Sequence, residues 1–178
     1  MTSKRAPRLT AKAMVVLSLL GALMFVAKMV MAPLPNIEPV SLLVMVYAVI
    51  FGRLALYPIY IYVGLECLIW GINLWTINYL YIWLVLAALA WIFRRMDSVL
   101  GWAILSGAFG LSFGALCAIV YLFVGGWSFA LTWWTSGILF DAFHCGGNFA
   151  MALILFKPCR KVLTTLSRQI GLIPSGEI

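Results

Sequence analysis

From Ala13 to Ala32 the chain carries one charge, Lys28, in a run long enough to cross a bilayer as a helix. Comparable runs recur almost to the C-terminus, and no polar stretch is long enough to build a separate soluble domain. Hydrophobic residues make up 65% of the 178, and charged residues 10%. A soluble domain carries roughly 25% charged residues, and no soluble fold of this length could hide so much apolar surface. Lipid has to be the solvent, and the chain reads as a single all-α integral membrane domain over residues 1–178.

Breaks in the apolar pattern divide the chain into six expected transmembrane helices. The first covers Ala11 to Ala32, after a basic stub (1–10). It is too long for a signal-peptide core and is read as a retained helix. Pro33, Pro35 and Pro39 then break the chain, since proline cannot continue a helix and biases the residue before it. The second span, Val40 to Phe51, is short. After the turn at Gly52-Arg53, the third runs from Leu54 to Trp70, with Pro58 tolerated near its start. Gly71 to Asn78 reads as a polar-aromatic loop, Tyr79 to Phe93 as the fourth span, and Arg94 to Ser98 as a charged loop. Val99 to Val124 and Leu131 to Phe156 are the last two spans, separated by a loop opening at Gly125-Gly126. The basic tail, 157–178, is expected at the interface.

Charge sets the orientation. Numbering the loops alternately from inside gives the inner set Lys4, Arg5, Arg8, Lys12, Arg53, Arg94, Arg95, Lys157, Arg160, Lys161 and Arg168. Lys28 is the one basic residue left over. Cytoplasmic loops are enriched in Lys and Arg, so both termini are expected in the cytoplasm. The outer loops carry Asn36, Glu38, Trp75, Asn78, Trp127 and Trp133. Tryptophan suits a membrane interface, and a cluster on one side also suits a pocket opening outward.

Four ionisable residues fall within spans, where charge is expensive: Lys28, Glu66, Asp141 and His144. Lys28 can snorkel outward or meet a carboxylate or ligand. Glu66 can pack as a hydrogen-bonded carboxyl. Asp141, His144 and Asn148 share one helical face. That stripe faces other helices or a wet cavity, as a ligand wall or as a packing network helped by Gly137, Gly146 and Gly147. With a single histidine, an all-protein zinc site is not expected. Cys67, Cys117, Cys145 and Cys159 form no CxxC pair and read as packing residues. The chain has no phosphate-binding GxxxxGK[ST] loop, no GxSxG and no HExxH. Any uphill movement of a solute needs a partner's energy or an ion gradient.

The ensemble resembles the substrate-binding S component of energy-coupling factor (ECF) vitamin transporters, which belong with the ABC-type importers. The resemblance rests on the basic stub, the small-residue motif Ser18-Leu19-Leu20-Gly21-Ala22 in place of AxxxA, and the Pro-rich first outer loop. The segments LPNIEPVSLLVMVYAVIFG (Leu34 to Gly52) and YPIYIYVGLECLIWGINLWTINYLYIW (Tyr57 to Trp83) look closest to a cobalamin-specific subgroup. The resemblance implies a non-enzymatic, high-affinity vitamin-binding subunit of the bacterial cell membrane. Its partners would be a transmembrane coupling protein and two cytoplasmic ATPases, docked through Ser18 and Ala22. It further implies a pocket formed from Asn36, Glu38, Trp75, Asn78, Trp127, Trp133, Asp141, His144 and Asn148. The ligand expected is cobalamin, with riboflavin, biotin, thiamine, folate or a queuosine precursor as alternatives. Three other classes stay open: a proton-coupled secondary transporter using Glu66, Asp141 and His144, a membrane enzyme built on Asp141 and His144, and an accessory subunit without a ligand.

Overall fold

A computed structural model describes residues 10–34 and 37–173, and over these the chain is all-helical. Four helical stretches are long and apolar enough to cross a membrane: Ala11–Met31, Val40–Trp70, Leu74–Ile92 and Val99–Gln169.

Local chemistry explains each boundary. Helix α1 (Ala11–Met31) starts where the Thr10 hydroxyl accepts from the Ala13 amide at 3.1 Å. Helix α2 (Val40–Phe51) is apolar all round and buried along nearly its whole length, as a central helix must be. It stops at Gly52, whose φ of 56° favours glycine. A short 3-10 turn (Gly52–Ala55) leads into α3 (Leu56–Trp70). Helix α4 (Leu74–Ile92) opens on a capping box: Asn73 accepts from the Thr76 amide, and the Thr76 hydroxyl accepts from the Asn73 amide. The last helix, α5 (Val99–Gln169), is capped by Ser98 and broken once, at Gly126, where φ is 75°.

That break turns α5 into a hairpin. Gly107 lies against Cys145, Gly110 against the His144 backbone, Gly114 against Asp141, and Tyr121 stacks on Trp133. Positions fall on one arm as they rise on the other, so the arms (99–125 and 127–169) are antiparallel. Similar pairs order the rest. Gly21 meets Pro58 and Ile61 while Lys28 meets Glu66, so α1 and α3 run parallel. Trp75 packs on Phe113 and Trp83 on Phe109, so α4 runs antiparallel to the first arm. Consecutive helical segments thus alternate in direction. The alternation brings Arg94, Arg95 and Arg160 together at one end, beside the α2–α3 turn.

The structure corrects three expectations. The loop expected over Gly71 to Asn78 shrinks to 71–73, because the Asn73 cap starts α4 five residues before Tyr79. No loop separates the last two spans: one left-handed glycine reverses the chain, and Trp127 and Trp133 sit on helix. The last helix runs past the expected end of the sixth span at Phe156, through Pro158 to Gln169. Close approach comes from the first arm of the hairpin, not from Gly137 or Gly146. A Cβ on Gly137 or Gly146 would meet nothing within 4 Å, whereas one on Gly110 would lie 2.7 Å from the His144 carbonyl oxygen. Gly107, Gly110 and Gly114 form the small-residue face that lets the backbones meet.

A side chain at 110 therefore has to push the arms apart. Gly110→Val should destabilise the protein by about 1–3 kcal/mol, the usual range for overpacking. Gly146→Ala should be neutral or slightly stabilising. Denaturation of the purified protein in detergent, followed by tryptophan fluorescence, measures both.

Candidate functional site

At the end opposite the arginines, two adjoining cavities of about 290 and 250 Å³ share a wall made of Trp75, Phe113 and His144. The larger is closed by Lys28, Met31, Ala32, Leu34, Glu38 and Tyr79, from α1, the α1–α2 connection and α4. The smaller lies within the hairpin and is lined by Gly114, Trp133, Gly137, Phe140 and Asp141.

One ion pair anchors the larger cavity. Lys28 Nζ lies 2.7 Å from Glu66 Oε2, with the Glu66 side chain 1% exposed and that of Lys28 19%. The ammonium also donates to the Tyr79 hydroxyl at 3.3 Å and stands 5.1 Å from the Tyr79 ring centre. Trp75 Nε1 donates to the same hydroxyl at 3.0 Å. A cation over an aromatic face gains from the ring quadrupole, and more so when desolvated. Glu38 comes from the connection itself. Burial pushes its carboxyl above the usual range; Lys28 pulls it back down, and Glu66 adds to the rise.

The hairpin supplies the other polar groups. Asp141 Oδ1 accepts from the Gly114 amide at 2.9 Å, a bond that a side chain at 114 would obstruct. His144 is 3% exposed and meets the Phe113 ring at 4.8 Å in a T-shaped contact. Its Nε2 is buried without a hydrogen-bond partner. Leaving such an atom unsatisfied costs about 1–3 kcal/mol, so a ligand that bonds to it recovers that loss.

Of the expected site residues, Glu38, Trp75, Trp133, Asp141 and His144 are brought together. Asn148 is not: its amide donates to Ser41 Oγ at 3.1 Å and to the Ser106 carbonyl at 3.3 Å, tying the hairpin to α2. Asn78 is fully buried and accepts from the Tyr81 hydroxyl at 2.9 Å, away from both cavities. Trp127 stands 71% exposed beside the hairpin tip. Asn36 lies outside the described residues. Ser18 is exposed and Ala22 half-buried on α1, clear of the cavities.

The sequence reading left Lys28 and Glu66 outside the site and missed Tyr79 and Phe113. A signal for Tyr79 existed. Trp75, Tyr79 and Trp83 recur every fourth residue, which is one face of a helix. Assigning Gly71 to Asn78 to a loop hid that face. Among the described residues no group of three His, Cys, Asp or Glu side chains gathers to hold a metal. The arrangement offers flat aromatic walls, a fixed cation–carboxylate pair and one imidazole nitrogen able to bond a ring-bearing polar molecule.

Removing one member of a buried pair strands the other. Lys28→Met should cost about 3 kcal/mol. The double change Lys28→Met with Glu66→Gln should recover most of that loss in the same denaturation assay. Equal losses in the single and double variants would mean that the pair contributes nothing as a pair.

No family model, no curated protein and no solved structure matches the chain.

Proposed function

We propose that the chain is the ligand-binding membrane subunit of an ATP-driven vitamin importer of the ECF kind. In this reading it crosses a bacterial cell membrane six times, with both termini in the cytoplasm and the paired cavities opening outward. The observation that carries the binding role is the unpaired Nε2 of His144, buried at the wall common to two aromatic cavities. Ligand sites combine a mostly apolar lining with a few placed polar groups, and Trp75, Phe113, Lys28 and His144 supply both. Energy for uptake would come from a coupling protein and two ATPases, because the sequence has no nucleotide-binding loop. The exposed face of α1 around Ser18 and Ala22 would receive the coupling protein.

Size bears on the ligand. Each cavity lies near or below the lower end of the usual range for small-molecule sites, roughly 300–1,000 Å³. Their common wall suits one flat heteroaromatic ring system with a short polar arm. Cobalamin, the ligand expected by resemblance, is bulkier than either cavity and would bind only if the α1–α2 connection moved off the hairpin. A single-ring-system vitamin needs no such movement.

The test is a thermal-shift panel on the purified chain with riboflavin, thiamine, biotin, folate, a queuosine precursor and cobalamin, without ATP. One vitamin should raise the melting temperature, and Trp75→Ala or His144→Ala should weaken its binding by about tenfold or more, as loss of one good contact does. No shift with any vitamin removes the binding role. Uptake by the chain alone in liposomes under a pH gradient favours a secondary transporter instead. Ala22→Trp should abolish co-purification with a coupling protein while sparing ligand binding. If co-purification survives, α1 is not the docking surface.

A further inference from the structure

The arginine-rich end holds a third cavity, separate from the paired ones. It measures about 650 Å³ and is lined by Arg94, Arg95 and Arg160, with Asp97 as its one carboxylate. Arg94 is pinned: its Nη1 donates to the Trp91 carbonyl at 2.9 Å and its guanidinium lies 4.4 Å from the Trp91 ring centre. Arg95, Arg160 and Asp97 make no ion pair with one another or with any other described residue. Three guanidinium groups around one space against one carboxylate leave positive charge that the described residues do not neutralise.

An apolar groove of about 310 Å³ joins this cavity. It runs between α2, α3 and α4, and Ala48, Leu56, Leu84, Ala87 and Ala88 form its floor and walls. Gly52 and Trp91 line both spaces, so the two are continuous. Arg53 stands at the groove as well. Gly52 holds a φ of 56° that other residues rarely adopt, and a Cβ there would reach ordinary contact, 3.7 Å, with the Trp91 indole nitrogen.

We infer that this end is a binding site for one anionic phospholipid of the adjacent leaflet, with the phosphate headgroup among Arg95 and Arg160 and an acyl chain along the groove. Arginine matches phosphate oxygens with paired N–H donors, and basic pockets between membrane helices suit anionic headgroups. A soluble anion would have no use for the groove, and an acidic protein segment would have no use for a slot walled by Leu84, Ala87 and Ala88. Charge and apolar shape are complementary to one molecule, and Trp91 sits between them as an interface residue would.

The test uses the full chain in detergent, delipidated and then titrated with palmitoyl-oleoyl phosphatidylglycerol, the matching phosphatidylcholine, or inorganic phosphate. Native mass spectrometry counts retained lipid, and thermal shift reads stabilisation. Phosphatidylglycerol should be retained over phosphatidylcholine and should raise the melting temperature more. Arg95→Gln with Arg160→Gln should remove that preference, at about five-fold per arginine. Ala88→Trp fills the groove and should lower retention of phosphatidylglycerol while leaving the response to phosphate unchanged. If the double arginine variant does not fold, Ala88→Trp alone decides. Equal retention of the two lipids, stabilisation by phosphate equal to that by phosphatidylglycerol, or unchanged retention in Ala88→Trp would each overturn the inference.

Discussion

The Lys28–Glu66 pair sets the terms for the cavity end. Two opposite charges 2.7 Å apart, in a segment otherwise free of charge, fix how far α1 can slide along α3. Moving α1 by one residue would separate the partners and leave Glu66, 1% exposed, without its ion-pair partner. The register this enforces seats Gly21 against Pro58 and Ile61 and carries Met31, Ala32 and Leu34 over the cavity mouth. It also places the ammonium against Tyr79, so one interaction positions a scaffold contact and a wall of the site together.

Several polar groups elsewhere are satisfied internally, as a bilayer demands. Asp141 takes the Gly114 amide, Asn148 bridges Ser41 and Ser106, and Tyr47 donates to the Leu20 carbonyl. Each ties together elements distant in sequence. His144 Nε2 and Asp141 Oδ2 are among the buried polar atoms left without such a bond, and both residues line a cavity. A bundle that ties many of its polar groups internally and leaves two at a cavity wall has spent stability where a ligand can return it.

Much of the architecture was legible in the sequence, because the bilayer penalises charge and proline in visible places. Pro33 to Pro39, Gly52 and the arginine pair at 94–95 mark real breaks. The α4 start was misplaced by five residues because the cap at Asn73 depends on a hydroxyl three positions on, and the polar-aromatic composition of GINLWTIN suggested a loop. The stripe Asp141, His144 and Asn148 was legible as one face, but not how it divides. Asp141 and His144 reach a cavity while Asn148 is used up in packing, and that depends on which neighbours come from α2 and the first arm. The cation–carboxylate pair spans 38 residues, so no local pattern could join Lys28 to Glu66. Trp127 and Trp133 looked equivalent in the sequence; the one-residue turn leaves the first outside and carries the second in to stack on Tyr121.

Gly126 reverses α5 with a pivot in place of a linker. Arms joined by a flexible linker could part evenly along their length, whereas arms joined at a point can only splay. At a rise of about 1.5 Å per residue, Asp141 lies about 22 Å from that point and Arg160 about 51 Å. Any change of angle at the glycine is therefore felt more than twice as strongly at the arginine end as at the cavity wall. Set at one glycine, the angle between the arms would move Arg160 further than it moves the cavity wall, so whatever holds Arg160 would also bear on the site.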